Sequence, residues 1–334
     1  MKRAKSGYAA AALIAATASV FSFAATAQTV KIDGSSTVFP ISEAVAEDFQ
    51  KAKRGAVKVT VGISGTGGGF KKFCRGETDI SNASRPITKK EMDACKEAGI
   101  TYIEMPVAFD ALTVVINPKN TWAKQMTVAE LKKIWEPAAQ GKITRWNQVN
   151  PAWPNEEITL FGPGADSGTF EYFTEAIVGK AKSSRGDFTA SEDDNVLVTG
   201  VSRDVHALGY FGYAYYEANR NKLAAAAIVP APGKPAVAPS AQNVENGSYT
   251  PLSRPIFIYV NAKSAAKPEV KEFVEFFNKN ANKLVKEVKY VPLPASAYAD
   301  NMASLNKMRL GTKFGGSNKV GLSIDDLMKM KAKL

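Results

Sequence analysis

The sequence is poor in the residues that most often bind metals and redox cofactors. Its 334 residues include a single histidine, His206, and only two cysteines, Cys74 and Cys95. Zinc sites use several Cys or His ligands, c-type haem needs a CxxCH motif, and iron–sulfur clusters need a full set of thiolates. These classes are excluded, and the sequence predicts neither a metal site nor a cofactor.

Motifs of nucleotide hydrolysis and acyl transfer are also missing. No segment matches the GxxxxGK[ST] phosphate loop of ATPases, and residues 62–66 just miss the GxSxG pattern of serine hydrolases. Residues 264–267 match SxxK, but the SDN and KTG motifs that accompany it in β-lactamases are absent. His206 lies among apolar and aromatic residues, where a packed or capping histidine is favoured over a catalytic base. We therefore expect no enzyme activity.

Long apolar runs are confined to the N-terminus, which has the organisation of a secretory signal peptide. Lys2, Arg3 and Lys5 precede an Ala-rich apolar stretch, and Ala25-Thr26-Ala27 is a small-x-small cleavage site. The stretch is too short for a membrane span of about 20 residues, so an anchor helix is the less favoured alternative. We expect cleavage after Ala27 and an exported, soluble chain without lipid attachment, because no cysteine follows the site.

Export changes the interpretation of the two cysteines. Cys74 and Cys95 are 21 positions apart in a compartment that permits disulfides. A bridge closing that loop would contribute about 3 kcal/mol to the free energy of unfolding in the chain-entropy model. The alternative is a redox pair, which is disfavoured because the CxxC spacing is absent.

Basic residues outnumber acidic ones. The chain has 43 Lys and Arg against 32 Asp and Glu, for a net charge of +11. The charges are dispersed along an exported chain, so we expect no nucleic-acid partner. We interpret the excess as a field that attracts anions.

Strand and helix patterns alternate along the chain. Residues 57–61 (VKVTV) predict a strand, residues 127–135 predict a helix with a Thr127/Glu130 capping box, and residues 269–280 predict an amphipathic helix. The Ala/Pro-rich residues 224–239 predict a loop or an edge segment. The alternation and the length predict an α/β protein with two lobes and mixed, mostly parallel sheets.

Three loops rich in Gly, Ser and Thr each join a predicted strand to a predicted helix. They are residues 33–40 (DGSSTVFP), 64–70 (SGTGGGF) and 162–170 (GPGADSGTF). A helix N-terminus offers unpaired N–H groups and partial positive charge, glycine permits close approach, and short hydroxyls donate hydrogen bonds. Together the loops predict a site for a small, dehydrated tetrahedral oxyanion. The alternative for any one loop is a simple N-cap or turn.

Arg85 supplies a full positive charge near these loops. It lies within residues 79–87, at the end of another predicted strand. A guanidinium binds oxyanions bidentately, so Arg85 is a candidate ligand; the alternative is a surface salt bridge.

The combination of GSSTVFP, SGTGGGFKKF, DISNASRPI and DSGTF resembles the PstS-type periplasmic phosphate-binding protein of the phosphate ABC transporter. The resemblance runs through nearly all of the mature chain up to about residue 300, with the motifs in the family's order. It implies a two-lobed, type II periplasmic-binding-protein fold, with helices flanking the sheets and two crossover strands near residues 109–114 and 253–258. Residues 28–110 plus 258–334 would form lobe 1, and residues 111–257 would form lobe 2.

The family binds inorganic phosphate in the cleft and delivers it to an inner-membrane ABC permease with a cytoplasmic ATPase. The resemblance therefore implies a periplasmic monomer. By position, it implies phosphate ligands at Ser36, Thr37, Val38, Thr66, Gly67, Gly68, Ser84, Arg85, Asp166, Ser167, Gly168 and Thr169.

Two departures from the family pattern stand out. Many members carry an arginine shortly before Ser-Gly-Thr, where this chain has Gly162, Pro163 and Gly164; Arg85 is expected to replace it from the opposite lobe. The best-known members have an aspartate where Ser84 stands, which accepts the proton of hydrogen phosphate and so rejects sulfate. Asp166 is the nearest candidate for this acceptor, with N-capping of the next helix as its alternative.

Two other functions stay open at this point. A secreted phosphoester hydrolase would use the same oxyanion cradle but needs a metal or a nucleophile–base pair. The same scaffold tuned to another oxyanion is the second alternative.

Overall fold

The structure, a computed structural model, describes residues 28–330. The predicted signal peptide and its cleavage site lie outside the described residues. Within them, every helix is too short or too polar to span a bilayer.

The described chain alternates strands with helices. The strands are β1 (Gln28–Gly34), β2 (Val57–Val61), β3 (Ile80–Ala83), β4 (Tyr102–Ala111), β5 (Thr113–Ile116), β6 (Gln125–Thr127), β7 (Thr159–Pro163), β8 (Thr189–Ser191), β9 (Ala207–Phe211), β10 (Ala224–Ala225), β11 (Ala227–Val229), β12 (Ser253–Asn261) and β13 (Val291–Pro292). The helices are α1 (Phe39–Ala52), α2 (Gly65–Cys74), α3 (Lys89–Glu97), α4 (Val128–Trp135), α5 (Trp146–Val149), α6 (Gly168–Phe173), α7 (Asp194–Arg203), α8 (Tyr213–Ala218), α9 (Ala241–Glu245), α10 (Pro268–Glu287), α11 (Ala295–Asn306) and α12 (Ile324–Lys329). A π-helical turn, Thr174–Val178, extends α6.

Two sheets organise the molecule. The six-stranded sheet has the order β13-β4-β12-β3-β1-β2, and the five-stranded sheet has the order β10-β5-β9-β7-β8. We call the first sheet with the helices that flank it the first lobe, and the second sheet with its helices the second lobe. The expected two-lobed α/β fold is confirmed.

Strand direction is mixed, as predicted, but among residues 28–330 antiparallel strand pairs are as numerous as the parallel pairs that were expected to predominate. β1 pairs in parallel with β2 and β3, but β12 pairs antiparallel with β3 and β4. The reason is topological: β4 leads out of the first lobe and β12 leads back into it, so the two crossover strands must run in opposite directions.

The chain passes between the sheets at one narrow place. Ser253 of β12 pairs with Ala111 of β4, and the N–H of Leu112 donates to the carbonyl of Leu252 at 2.9 Å. Directly beyond Leu112, β5 begins in the second sheet. This arrangement supports the predicted hinge positions. The predicted lobe boundaries stay a prediction, although β12 already belongs to the first sheet at Ser253.

Local signals place most helix ends. The capping boxes Thr88/Glu91 and Thr127/Glu130 both form, at the starts of α3 and α4. Helix α10 runs to Glu287, beyond the predicted end at 280, because its buried apolar stripe continues through Leu284 and Val285. The segment 224–239, predicted as a loop or an edge segment, contains the short strands β10 and β11, and β10 lies at the edge of the second sheet.

The predicted disulfide is confirmed. Cys74 and Cys95 are bonded, with their Cα atoms 4.3 Å apart. The bridge ties the last residue of α2 to α3, so it stiffens the support behind the glycine-rich loop.

Candidate functional site

The three predicted loops meet between the lobes. The Thr37 hydroxyl lies 3.0 Å from the Thr169 hydroxyl, which joins the first loop to the third. The Thr66 hydroxyl lies 3.1 Å from that of Ser84, and it accepts the Ser84 N–H at 3.0 Å. Segments far apart in the sequence therefore gather around one point.

Six hydroxyl side chains gather here and are almost wholly buried. We call them the hydroxyl cradle: Ser36, Thr37, Thr66, Ser84, Ser167 and Thr169, each at most 4% exposed. Hydroxyl groups removed from water need hydrogen-bond partners, and each can donate to a bound oxyanion.

Gly168 shows how closely the lobes approach at the cradle. A Cβ atom on Gly168 would lie 2.5 Å from the Thr66 hydroxyl oxygen and 2.6 Å from that of Ser84. Only a residue without a side chain fits there, because Thr66 and Ser84 are buried and hydrogen-bonded to each other. The glycine of the Ser-Gly-Thr motif is thus required by packing between lobes.

Two of the helices that start at the cradle have no side-chain cap. Val38, at the N-cap of α1, has no side-chain acceptor, and Ser64, at the N-cap of α2, donates its hydroxyl to Asp33 instead. The third helix differs, because Ser167 caps α6 by accepting the Thr169 N–H at 3.1 Å. Uncapped, buried helix starts leave backbone amides and partial positive charge for an anion.

Arg254 brings a full charge to the cradle, and sequence reasoning missed it. Its Nη2 donates to the Thr169 hydroxyl at 2.8 Å, and its Nη1 donates to the Gly168 carbonyl at 3.3 Å. Asp110 accepts from Nη2 at 2.9 Å and from Nε at 3.1 Å. Both residues are 0% exposed. The available signal was an arginine and an aspartate inside two otherwise apolar strands, since such charges are buried only when paired.

The predicted role of Arg85 as the ligand's arginine does not fit its contacts. Its guanidinium forms ion pairs with Glu91 at 2.8 Å and with Glu171 at 2.9 Å, and Nη1 also donates to the Pro86 carbonyl. Burial lowers the pKa of Arg85, but the hydrogen bond and charge of Glu91, then those of Glu171, raise it above its ordinary value. The donors are occupied by carboxylates, so Arg254 takes the position expected of Arg85.

The contacts of Asp166 favour neither of its two interpretations. Its carboxylate accepts from Lys71 Nζ at 2.7 and 2.9 Å and so is already paired with a cation. Its side chain is 38% exposed. The N-cap of α6 is Ser167, so Asp166 does not cap that helix either.

The Gly67 amide is also unavailable to a ligand. Its N–H donates to the Asp166 carbonyl at 2.7 Å, which closes the rim of the cleft instead. Sequence reasoning placed this amide correctly at the cleft but could not foresee a partner from the other lobe.

Asp194 is the acidic group that faces the cradle. It is 0% exposed, and its Oδ1 accepts the Ser36 hydroxyl at 3.1 Å. Its Oδ2 is buried without a hydrogen-bond partner at normal distance among residues 28–330. Burial raises the pKa of Asp194 to about 7, against the lowering effect of the Ser36 hydrogen bond. In the sequence, Asp194 is only one member of an acidic run, Glu192 to Asp194. The N-cap of α7 is the neighbouring Asp193, so capping does not single out Asp194 either.

His206 lies away from the cradle. Its ring packs 6.0 Å from that of Trp122, and its Nε2 lies 3.9 Å from a Glu156 carboxylate oxygen. Among residues 28–330, no group of three or more His, Cys, Asp or Glu side chains is arranged to hold a metal ion.

Comparison with known proteins gives consistent relatives. The model of the PBP superfamily domain matches residues 20–280. Protein SphX of Synechococcus elongatus is 57% identical over 300 residues, covering 90% of this chain and 88% of that protein. The phosphate-binding protein PstS of Staphylococcus saprophyticus is 38% identical over 280 residues, covering 83% of this chain and 84% of that protein.

Two solved structures of similar proteins point to the same family. A possible phosphate-binding protein from Planctomyces limnophilus is 52% identical, with a TM-score of 0.62 over 84% of this chain and 98% of that one. A putative phosphate ABC transporter substrate-binding protein from Clostridium perfringens, solved with bound phosphate, is 25% identical, with a TM-score of 0.66 over 80% of this chain and 100% of that one. The chain therefore belongs to the PBP superfamily and, within it, to the family of PstS-type phosphate-binding proteins.

Proposed function

We propose that this protein binds inorganic phosphate between its two lobes and delivers it to an ABC-type phosphate permease driven by a separate ATPase. The observation that carries the proposal is the hydroxyl cradle, because six buried hydroxyls lie together there and the buried Arg254 donates to two of them, those of Thr169 and Thr37. The names of its relatives point to the same ligand.

The predicted ligands are retained with two exchanges and one removal. Ser36, Thr37, Val38, Thr66, Gly68, Ser84, Ser167, Gly168 and Thr169 supply hydroxyl and amide donors in this proposal. Arg254 replaces Arg85, Asp194 replaces Asp166, and Gly67 is removed because its N–H is already bonded.

Arg254 supplies the charge that the ligand needs in a site without water. Asp110 holds the guanidinium from one side, and the Thr169 hydroxyl lies on another. Charge-assisted hydrogen bonds strengthen when water is excluded, so closing the lobes favours the bound anion. The Arg254–Asp110 pair is neutral overall, which limits the cost of burying it in the empty protein.

Asp194 distinguishes between oxyanions in this proposal. Hydrogen phosphate carries a proton that an ionised Asp194 can accept from the P–OH group. Sulfate has no proton at neutral pH, so its oxygens would face the buried carboxylate and be repelled. Arsenate has the same proton and nearly the same shape, and we expect it to bind.

The remaining parts of the proposal concern place and partners. We infer that the protein acts as a periplasmic monomer after its leader is removed. The leader pattern of residues 1–27 and the family membership support this inference.

Titration calorimetry of the purified mature chain with phosphate, arsenate and sulfate tests the proposal. We expect phosphate and arsenate to bind with micromolar or tighter affinity and sulfate to bind far more weakly. Tryptophan fluorescence reports closure of the lobes in the same samples. Failure to bind phosphate at micromolar concentration would reject the proposed function.

A further inference from the structure

Arg85 lies between carboxylates of both lobes. It follows β3 in the first lobe, and its Nη2 donates to Glu171 Oε1 of α6 in the second lobe at 2.9 Å. From its own lobe, Glu91 of α3 accepts from Nη1 and Nη2 at 2.8 Å each. The Arg85 and Glu171 side chains are only 5% and 6% exposed. One guanidinium therefore joins the two lobes away from solvent.

Glu171 belongs to the helix that carries part of the cradle. It lies two residues beyond Thr169 on α6, and the Thr169 hydroxyl contacts Thr37 of the first lobe. Because α6 is a rigid helical turn, a bond that holds Glu171 against Arg85 also holds Thr169 against Thr37. Lys182 Nζ lies 3.3 Å from Glu171 and partly balances its charge from within the second lobe.

A second set of contacts joins the same two lobes at the rim of the cleft. The Gly67 N–H donates to the Asp166 carbonyl, and Lys71 Nζ lies 2.7 Å from the Asp166 carboxylate. These bonds run between protein groups alone. The closed arrangement thus has stabilising contacts that need no ligand.

We propose that Arg85 and Glu171 form an interlobe latch, a positioning pair that holds the cleft closed and sets how slowly the ligand leaves. Opening the lobes must separate this pair, whereas the Arg85–Glu91 contact moves as part of the first lobe. A contact made only in the closed state raises the closed population and so the apparent affinity. Its main kinetic effect is on the dissociation rate. The part of this inference that concerns ligand release rests on the proposed function.

Two matched variants test the latch. Glu171→Gln and Glu91→Gln each remove one carboxylate charge from the same guanidinium and keep the side-chain shape, but only the first acts across the lobes. Glutamine can also serve in the α3 capping box, so Glu91→Gln should fold. Stopped-flow fluorescence would measure phosphate association and dissociation, and small-angle X-ray scattering would measure the radius of gyration without ligand.

We expect Glu171→Gln to raise the phosphate dissociation rate about tenfold, leave association within twofold, and increase the ligand-free radius of gyration. Glu91→Gln should leave all three within error or within twofold. Arg85→Gln combined with Glu171→Gln should add little to Arg85→Gln alone, because the partners act as one unit. The preference for phosphate over sulfate should not change in any of these variants.

A wild-type dissociation rate in folded Glu171→Gln would overturn the latch, as would equal effects of Glu171→Gln and Glu91→Gln. Should Glu171→Gln fail to fold, Glu171→Asp takes its place, because it keeps the charge but shortens the reach. If the wild-type protein does not bind phosphate, the proposed function fails separately. Small-angle X-ray scattering then tests the latch by itself. If the ligand-free radius of gyration of Glu171→Gln equals that of the wild type, the latch is rejected.

Discussion

The two buried arginines between the lobes, Arg85 and Arg254, have opposite surroundings. Arg85 meets two carboxylates, Glu91 and Glu171, whereas Arg254 meets one, Asp110, and then hydroxyl and carbonyl groups of the cradle. An arginine saturated by carboxylates has no capacity left for an anion. An arginine with one carboxylate and neutral neighbours can bind a second anion without losing the first. The two arginines thus differ in the number and kind of their partners, and not in burial or charge, and in the proposed function this difference makes Arg254 the ligand-binding one.

The largest expected effect is at Arg254. Arg254→Gln should weaken phosphate binding by roughly 2–4 kcal/mol, because it removes a desolvated charge and leaves Asp110 facing the ligand. Calorimetry measures the loss, and Arg85→Gln is the comparison. If Arg85→Gln lost more affinity than Arg254→Gln, the assignment of the two arginines would have to be reversed.

Asp194 extends the comparison from the arginines to the acids. Asp194→Asn should weaken hydrogen phosphate binding by roughly 1.5–3 kcal/mol, because an ionised acceptor is lost from the P–OH group. Sulfate binding should improve at the same time, since the repelling charge is gone. Parallel titrations with both anions measure the ratio, and Asp166→Asn is the control that should leave it unchanged. A ratio unaltered in Asp194→Asn would remove this residue from the site.

The pH dependence of stability gives a second test of how Asp194 is buried. The pKa of Asp194 is raised to about 7 by burial, so its contribution to stability is complete below the unfolded pKa and is lost as pH rises through 7. Ligand-free protein should lose about 1–2 kcal/mol of stability through this group between pH 5.5 and 8. In Asp194→Asn, the stability lost between pH 5.5 and 8 should be smaller by this amount, because the titrating carboxyl is absent. Urea unfolding of the wild-type protein and of Asp194→Asn at pH 5.5 and 8 measures the change in the free energy of unfolding. An equal change in both proteins would contradict the prediction.

The smallest expected effect is at a single cradle hydroxyl. Ser84→Ala should weaken phosphate binding by about 0.5–1.5 kcal/mol, the usual value of one neutral hydrogen bond. Ser248, a half-buried loop serine outside the cradle whose hydroxyl donates to the Asn243 carbonyl, provides the control substitution to alanine. Calorimetry that found equal affinities for the two variants would exclude the Ser84 hydroxyl as a donor.

Local patterns predicted the helix starts well. The Thr127/Glu130 capping box was visible because both partners lie within one helical turn. The glycine-rich loops were likewise visible as strand–loop–helix transitions. In contrast, the length of α10 and the strand directions of the sheets depend on packing partners, and there the predictions were incomplete or wrong.

The sequence by itself determined the fold family, the disulfide and the loops that meet at the cleft, because each depends on short-range patterns or on motif order. Only the tertiary structure decided which charged groups face the hydroxyl cradle. Glu171 is 86 residues from Arg85, and Asp110 is 144 residues from Arg254. Whether an arginine is neutralised or free depends on carboxylates brought within about 3 Å by the fold, where Coulomb interactions are strongest. No local pattern contains those distances.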